Sequence, residues 1–508
     1  MTDAQAGGRK GRSTTDHLAI LNSIVAQNKK QRKPTYIAFL DVEKAYDKAW
    51  NKAIMYIMNK EGARDKLWKI INALNKNLTA NIETKHGPTR KIKINDSIRQ
   101  GGVLSVIQYA LMMDEIAKEN NTQNNQPNQP PDITDTNILL WMDDVALITD
   151  NHNKMKKLLK TTDHIAKKYH IVFGKNKSNI LKIGKKKEIK QPLKLGDMEL
   201  EYVDNYKYLG ITINSENTLK TQIKSINAKT EAAYQTIMSL LGNEEFNQIE
   251  MKTIWKLTET CIIPIITYGC ETWITNKTET NQLNKILDNI IRRILMTPHS
   301  TPREALYLET NLLDIQRIID KKKLNMYYRT TKSPTQLTKQ LITEPNNIWK
   351  DNIDKIMETY HMDHTTLENM RPSAAKKYIR RKIQRQFRKE ITKDTTKSKI
   401  VYLKDGYIGE EKATYTNNLT RRETSILFKA RTRMTDFKGN YKNKYPDQKC
   451  RLCKNEAETQ EHLLEQCEIT SQHNLQITKQ LLFSQSITIQ KMVTQKINQL
   501  LTLMEQAN

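Results

Sequence analysis

FLDVEKAYD, from Phe39 to Asp47, and LLWMDDVALI, from Leu139 to Ile148, decide how this chain is read. Each is an apolar run of strand type that ends in carboxylates. Thr35 to Leu40 is β-rich and stops at Asp41, after which the apolar spacing turns helical. Ile138 to Met142 and Val145 to Ile148 read as two strands joined by a tight Asp143-Asp144 turn. One carboxylate at a strand tip beside two at a hairpin turn suits a pair of Mg²⁺ ions. Hard divalent cations take oxygen ligands, and two of them can clamp the attacking and leaving oxygens of an in-line phosphoryl displacement. Taken singly, an Asp-Asp hairpin is also a plain solvated turn, and Asp41 is also placed to cap a helix.

The order of the remaining motifs narrows the reading. SIRQGGVLS (Ser97 to Ser105) lies between the two carboxylate segments. FGKNKSNILKIG (Phe173 to Gly184) and NYKYLGITI (Asn205 to Ile213) follow them, and QAGGRKGRSTTDHLAIL (Gln5 to Leu21) opens the chain. Together they resemble the palm of reverse transcriptases, and the opening resembles the non-LTR (LINE-type) retrotransposon branch. The resemblance runs from Gln5 to Ile213, and more weakly to about Arg329. It implies an α+β fold: a right-hand polymerase palm, an antiparallel sheet with packed helices, followed by an α-helical thumb, a basic helical region and a small CCHC zinc segment.

The same resemblance implies roles for single residues. Asp41, Asp143 and Asp144 would hold two Mg²⁺ (or Mn²⁺) ions. Tyr46 would stack under the incoming sugar and exclude a 2′-hydroxyl, making the substrate a dNTP; a core aromatic on the Ala45/Ala49 face is the alternative. Arg99, Gln100, Gly101 and Gly102 would contact nucleotide and template, glycine allowing close backbone approach. Lys177 would protonate the departing pyrophosphate. Tyr206, Tyr208, Leu209 and Gly210 would form the hairpin that positions the primer end, or an ordinary hairpin with an aromatic pair. The sequence departs from the family at Gly8, where an aromatic is usual, at Ser97, where glycine is usual, and at Val106, where proline is usual.

Size and charge agree with this class. A chain of 508 residues predicts two to four domains. A net charge of +27 is too lopsided for a typical metabolic enzyme and suits phosphate neutralisation along a nucleic acid. A membrane partner is not expected, since the longest apolar stretch, Cys261 to Thr267, is short and broken by Pro264. With no signal segment, an intracellular location is expected, and target-primed synthesis would place the action in the nucleus. The cysteines, five in number, predict reduced thiols and metal binding over a disulfide framework.

Along the chain we expect partial fingers over 1–34 and the palm over 35–215, interrupted by a low-complexity surface loop at 119–136. A helical thumb over 216–330 follows, with helices at Leu219 to Leu240 (stopping at Gly242), Leu283 to Leu295 (closed by Pro298 and Pro302) and Leu312 to Tyr328, the last carrying Lys321-Lys322-Lys323. A linker near Ser333-Pro334 leads to a basic helical connector over 331–445. There SAAKKYIRRKIQRQFRKE (Ser373 to Glu390) places Lys377, Arg381, Arg385 and Arg388 on or near one helix face, either a solvated face, a phosphate-contacting one or a nuclear-import signal. A zinc segment over 446–470 and a helical tail over 471–508 complete the chain.

Cys450-x2-Cys453-x8-His462-x4-Cys467 has the ligand types of a tetrahedral structural Zn²⁺ site, which can fold a segment too small for its own core. The spacing resembles the segment that follows the thumb in non-LTR reverse transcriptases. No carboxylate cluster for a linked endonuclease is evident after Cys467, and no ribonuclease H set is recognisable. The chain also reads as N-terminally truncated, because the segment that holds the triphosphate belongs upstream of Gln5. The resulting expectation is an RNA-directed DNA polymerase, extending a primer 3′-hydroxyl on an RNA template at a DNA target. The alternative is a catalytically inactive retroelement-derived nucleic-acid-binding fragment. An RNA-dependent RNA polymerase shares the palm carboxylates, but Tyr46 argues against it.

Overall fold

The computed structural model describes all residues except 77, 95, 123–132, 134–135, 185–191, 242–247, 334, 345–346, 394–400, 404, 406–412 and 508. Its strands are β1 (Thr35–Asp41), the short pairs β2 (Thr79–Ala80) to β5 (Ile92–Lys93) and β3 (Glu83–Thr84) to β4 (Gly87–Pro88), then β6 (Ile138–Trp141), β7 (Asp144–Thr149), β8 (Asn179–Ile183), β9 (Leu193–Leu195), β10 (Met198–Val203), β11 (Asn205–Tyr208) and β12 (Ile211–Asn214). Helices α1 (Thr14–Lys30), α2 (Asn51–Lys60), α3 (Asp65–Asn75), α4 (Ser105–Thr122), α5 (His152–Tyr169) and α6 (Lys220–Leu241) frame them.

The central sheet has the order β6-β7-β1-β8-β10-β9. It is the expected antiparallel sheet with packed helices, apart from the β8–β10 pair, which runs parallel. Strand residues alternate between two cores, because successive side chains leave opposite faces. Ala38, Leu40, Leu140, Val145 and Leu147 join α2, α4 and α5 in one buried cluster. Ile37, Phe39, Leu139, Ala146 and Ile148 join α1 and the later helices in the other. Burial on both faces explains why β1 and β7 read as continuous apolar runs.

Two expectations near Asp41 are corrected. Residues 43–48 form turns, with the Lys48 N–H donating to the Lys44 carbonyl, and the next helix begins only at Asn51 with Trp50 at its cap. Asp41 is therefore the last residue of β1 and caps no helix. The downstream hairpin turn is Met142-Asp143, since Asp144 already pairs with Trp141 as the first residue of β7.

The helical region beyond residue 216 follows the predicted stripes with shifted ends: α6, Lys277–Ile294 and Ile315–Thr331. Gly242 and Pro334, read as a helix stop and a linker, lie outside the described residues, as does most of the 119–136 loop. Ile133 within that loop is fully buried, and α4 continues into it as far as Thr122. The lysine run of the third helix is not a uniform cationic face. Lys322 donates to the Thr267 carbonyl at 2.7 Å, and Lys323 is buried, its Nζ donating to Asn352 at 2.5 Å. Later helices pack into the same core, where fully buried Arg431 lies 3.3 Å from fully buried Glu309 and over the rings of Tyr415 and Phe483. Among the described residues, no helix is long and apolar enough to cross a membrane.

One contact ties the opening motif to the helical region. Ser13 caps α1, the Asp16 carboxylate accepts the Ser13 N–H at 2.9 Å, and Arg329 of the helix Ile315–Thr331 pairs with that carboxylate. Burial raises the Asp16 carboxyl, with the Arg329 charge opposing that shift, so ionising Asp16 costs the folded state some stability and Arg329 offsets part of it. Arg329→Met should lower stability by about 1–3 kcal/mol, below the cost at a fully buried pair because Arg329 is partly exposed. The deficit relative to wild type should be full in mild alkali and shrink on acidification, as Asp16 becomes protonated in both proteins. Thermal unfolding followed across pH checks this; a deficit that grows in acid would refute it.

Candidate active site

Asp41, the last residue of β1, and Asp144, the first of β7, are facing partners at one end of the β1–β7 ladder. Facing residues of an antiparallel pair have Cα atoms about 4.5–5.5 Å apart. Asp143 stands beside them in the turn, where Met142 adopts φ +58°, the positive φ that two-residue hairpins favour. Carboxylates from two segments remote in sequence thus converge at one sheet end. Burial pushes the Asp144 carboxyl up to about 6, and the charges of Asp143 and Asp41 add to the rise. Asp143 is raised chiefly by burial and further by Asp41, against the lowering effect of a backbone N–H and Lys177. A half-buried site with surplus negative charge and oxygen ligands fits hard divalent cations.

Lys177 is brought to this site, its Nζ 3.4 Å from Asp41 Oδ2. The loop carrying it is stitched to Asp41. The Gly174 N–H donates to the Asp41 carbonyl at 2.9 Å, and the Asp41 N–H donates to Ser178 Oγ at 3.3 Å. The Lys177 side chain is 73% exposed, so it reaches across open space rather than into the core.

Tyr46 takes a position between its two expected roles. One face stacks on fully buried Tyr109, with centroids 5.1 Å apart, while the residue as a whole stays half-buried. Its hydroxyl is raised by burial and by the Asp143 charge. The Tyr46 carbonyl accepts the Ile98 N–H at 2.9 Å, which ties the Arg99–Gly102 segment to the site. Arg99 and Gln100 are exposed, and neither bonds to a carboxylate among the described residues. Gly101 has φ +80° and open space around it. Gly102 lies close to its own loop, a Cβ there standing 2.4 Å from Ser105 Oγ and 3.2 Å from the Arg99 carbonyl.

The β11–β12 hairpin lies against the other face of β1. Tyr206 stacks flat on Phe39 at 4.2 Å and donates to the Lys177 carbonyl at 2.9 Å. Tyr208 is buried against Phe39 at 5.0 Å. Burial pushes the Tyr206 hydroxyl up to about 12, with the Asp144 charge contributing, and raises Tyr208 for the same reasons. Leu209 and Gly210 both have positive φ, the pattern of a type I′ turn. Tyr268, which the motifs did not single out, donates to the Leu209 carbonyl at 2.9 Å and would leave a Cβ at Gly210 only 2.9 Å of room.

A larger omission from the sequence reading is Gln5. Ala4 to Ala6 run alongside β6: the Leu140 N–H donates to the Ala4 carbonyl and the Ala6 N–H to the Leu140 carbonyl. Fully buried Gln5 accepts the Met142 N–H at 3.3 Å and the Gly7 N–H at 2.9 Å, supporting the turn that carries Asp143. Gly7 must lack a side chain there, because a Cβ would meet the Met142 nitrogen at 2.5 Å. Gly8 and Val106, two of the departures from the family pattern, meet each other: a Cβ on Gly8 would lie 2.1 Å from Val106 Cγ1. The Gly-Gly pair after Gln5 was the available signal.

Away from this site, the ligand atoms of Cys450, Cys453, His462 and Cys467 all lie within 4.8 Å of one another. Backbone bonds from Cys450 to Glu456 and Lys454 to Cys450 shape the turn of the first pair, and a wide helical turn, closed by the Cys467 N–H donating to the His462 carbonyl at 2.7 Å, brings Cys467 back. Burial pushes the Cys450 thiol up to about 11. At Cys453 burial acts the same way, but N–H donors of Glu456 and Asn455 outweigh it and bring the thiol down to about 7. His462 Nε2 faces Cys453 Sγ at 3.3 Å while Nδ1 meets Glu456 at 2.9 Å, so one ring nitrogen points inward and the other is held. The cysteines are free thiols, as expected. The helix Pro372–Ile391 buries Ala375, Ile379, Ile383 and Phe387 and leaves Lys377, Arg381 and Arg385 exposed; Arg388 is half-buried.

Comparison with known proteins agrees with this arrangement. The family model "Reverse transcriptase (RNA-dependent DNA polymerase)" matches residues 1–213. The chain is 22% identical over 304 residues to the Retrovirus-related Pol polyprotein from type-1 retrotransposable element R2 of Nasonia vitripennis, covering 56% of this chain and 28% of that one. It is 19% identical over 330 residues to the Probable RNA-directed DNA polymerase from transposon BS of Drosophila melanogaster, covering 63% and 35%. It is 20% identical over 305 residues to the RNA-directed DNA polymerase from mobile element jockey of the same fly, covering 58% and 32%. The chain thus spans about a third of the length of these relatives. Among solved structures, telomerase from Candida albicans, in complex with a fragment of telomeric RNA, aligns with TM-score 0.37 at 11% identity over 58% of this chain and 52% of that one. Residues 1–213 thus match the reverse transcriptase family model, and the curated relatives that the chain resembles are polymerases of non-LTR retrotransposons.

Proposed function

We propose that the chain is an RNA-directed DNA polymerase, adding dNTPs to a primer 3′-hydroxyl on an RNA template. The observation that carries this reading is the register that sets Asp41 against Asp144 with Asp143 in the adjoining turn. These carboxylates would hold two Mg²⁺ or Mn²⁺ ions, which supply Lewis acidity at the attacking hydroxyl and the departing pyrophosphate. Lys177, beside Asp41, would donate a proton to the pyrophosphate. Tyr46, fixed from behind by Tyr109, would underlie the sugar and discriminate against a 2′-hydroxyl. Arg99 to Gly102 would meet the nucleotide and template, and the hairpin at Tyr206, Tyr208, Leu209 and Gly210 would position the primer end. Cys450, Cys453, His462 and Cys467 would bind Zn²⁺ and hold their segment together. A DNA target, reached in the nucleus, is the expected source of the primer.

Template-dependent dTTP incorporation on a homopolymer RNA with a DNA primer tests the reading directly. Asp143→Ala should reduce incorporation by about a hundredfold or more, with binding of the primer–template retained. Incorporation that survives the substitution would reject the site; salt-sensitive binding with no incorporation by wild type under Mg²⁺ or Mn²⁺ would leave only a nucleic-acid-binding protein.

Metal affinity should depend on pH in a stated direction. Asp144 has a raised carboxyl, so below about pH 6 it is protonated and cannot serve as an anionic ligand. Mn²⁺ affinity should therefore climb as pH rises through about 6 and level off above about 7. Calorimetric titration that finds a flat profile would contradict this.

Purified protein should contain one Zn²⁺ per chain. Chelation, or Cys453→Ser, should lower the unfolding temperature without abolishing Mn²⁺ binding at the carboxylates. Metal-free protein of unchanged stability would remove zinc from the proposal.

A further inference from the structure

The palm carries a groove that neither the carboxylate site nor the zinc-type cluster uses. It lies between α2, α3 and the strand β5, with a volume of about 620 Å³, within the range of ligand-binding clefts. Its lining combines three kinds of group. Tyr56, 62% exposed, and half-buried Trp68 offer aromatic surface. Asn51, Asn59, Asn72 and Asn75 offer amides, and Lys52, Lys76 and Lys93 offer positive charge with no carboxylate among the lining residues.

Two further observations bear on what the groove holds. The indole N–H of Trp68 donates to the Met55 carbonyl at 3.2 Å, which fixes the ring as part of the wall. The Asn51 amide oxygen has no hydrogen-bond partner among the described residues, although it is shielded from water. Such an acceptor is costly to leave unmade.

We infer that this groove binds an unpaired stretch of nucleic acid. Cationic surface that tracks phosphates, joined to aromatic side chains on which bases stack, is the physical basis of single-strand binding. Amides are suited to the Watson–Crick edges that only unpaired bases expose. A duplex would present neither base faces nor those edges to Tyr56. An acidic peptide would satisfy the lysines and pair with the amides through its backbone, but it would lack the flat base faces that stack on Tyr56 and Trp68.

Along the chain, the groove walls adjoin the residues proposed to meet nucleotide and template. The α2 wall begins at Asn51, shortly after Tyr46, and the opposite wall ends at Ile94, from which the chain runs through Ile98 into Arg99 and Gln100. Assigning the bound strand as template rests on the polymerase reading; the binding itself does not.

The test uses the full chain, without divalent metal and at salt high enough to suppress non-specific phosphate contacts. A 4-thiouridine-containing oligouridylate should crosslink to the segment from Asn51 to Lys76. Tyr56→Ala should weaken its binding about five- to tenfold, the scale of one lost stacking contact, whereas Tyr56→Phe should bind as wild type does. Lys491→Ala, an exposed lysine on the C-terminal helix, should have no effect, and duplex binding should be unchanged by every substitution. Crosslinks confined to other segments, or Tyr56→Phe as weak as Tyr56→Ala, would overturn the inference. Groove crosslinks in a protein that never incorporates dTTP would sustain it while removing the polymerase reading.

Discussion

The pairing register of β1 with β7 is the constraint on which the rest depends. Both strands are buried on both faces, so a shift of one residue would turn Ile37 and Phe39 toward the helices that now cover Ala38 and Leu40. The packing that forbids such a shift also holds Asp41 level with Asp144. Burial raises the carboxyls of Asp143 and Asp144, and repulsion between like charges brought together there adds to the rise. A bound cation would relieve that repulsion, so hydrophobic burial on the two sheet faces sets the geometry that the proposed metal site requires.

The groups around the carboxylates are secured by backbone contacts more than by side-chain pairs. The Lys177 loop is bonded through Gly174 and Ser178 to Asp41, the Arg99 segment through Ile98 to Tyr46, and the Asp143 turn through Met142 to Gln5. Such contacts limit drift of these segments while leaving Lys177, Arg99 and Gln100 open to solvent. Close approach has a steric cost that glycine removes, as at Gly7 against Met142. The contact between Gly8 and Val106 has the same character: two local departures from the family pattern form one packed site.

The later helices are joined to the palm by the same apolar cluster that takes in α1 and one sheet face, and its members extend to Met504. Charged groups inside it occur with partners, as in Arg431 with Glu309 and Arg451 with Glu458. The Cys450 cluster adjoins this cluster, with Cys450 and Cys467 fully buried, so metal binding there would act on a segment already packed.

Residue type and spacing alone determined much of this molecule. The apolar runs before Asp41 and around Asp143, the helical stripe from Leu283 to Leu295, and the Cys450–Cys467 ligand set are local patterns, and local patterns can be read from a chain. The motif order was enough to indicate the family and the three carboxylates. What tertiary structure decided were facts about neighbours remote in sequence: that β10 joins β8 in parallel, that Gln5 supports the Asp143 turn, that Tyr109 backs Tyr46, that Tyr268 closes the Leu209-Gly210 turn, and that Lys322 and Lys323 are spent on a carbonyl and an amide. None has a local signature, because hydrogen-bond partners and packing faces are chosen only when distant segments meet. Even the one-residue correction at the Asp143 hairpin followed from pairing, since strand membership of Asp144 is set by Asp41 across the ladder.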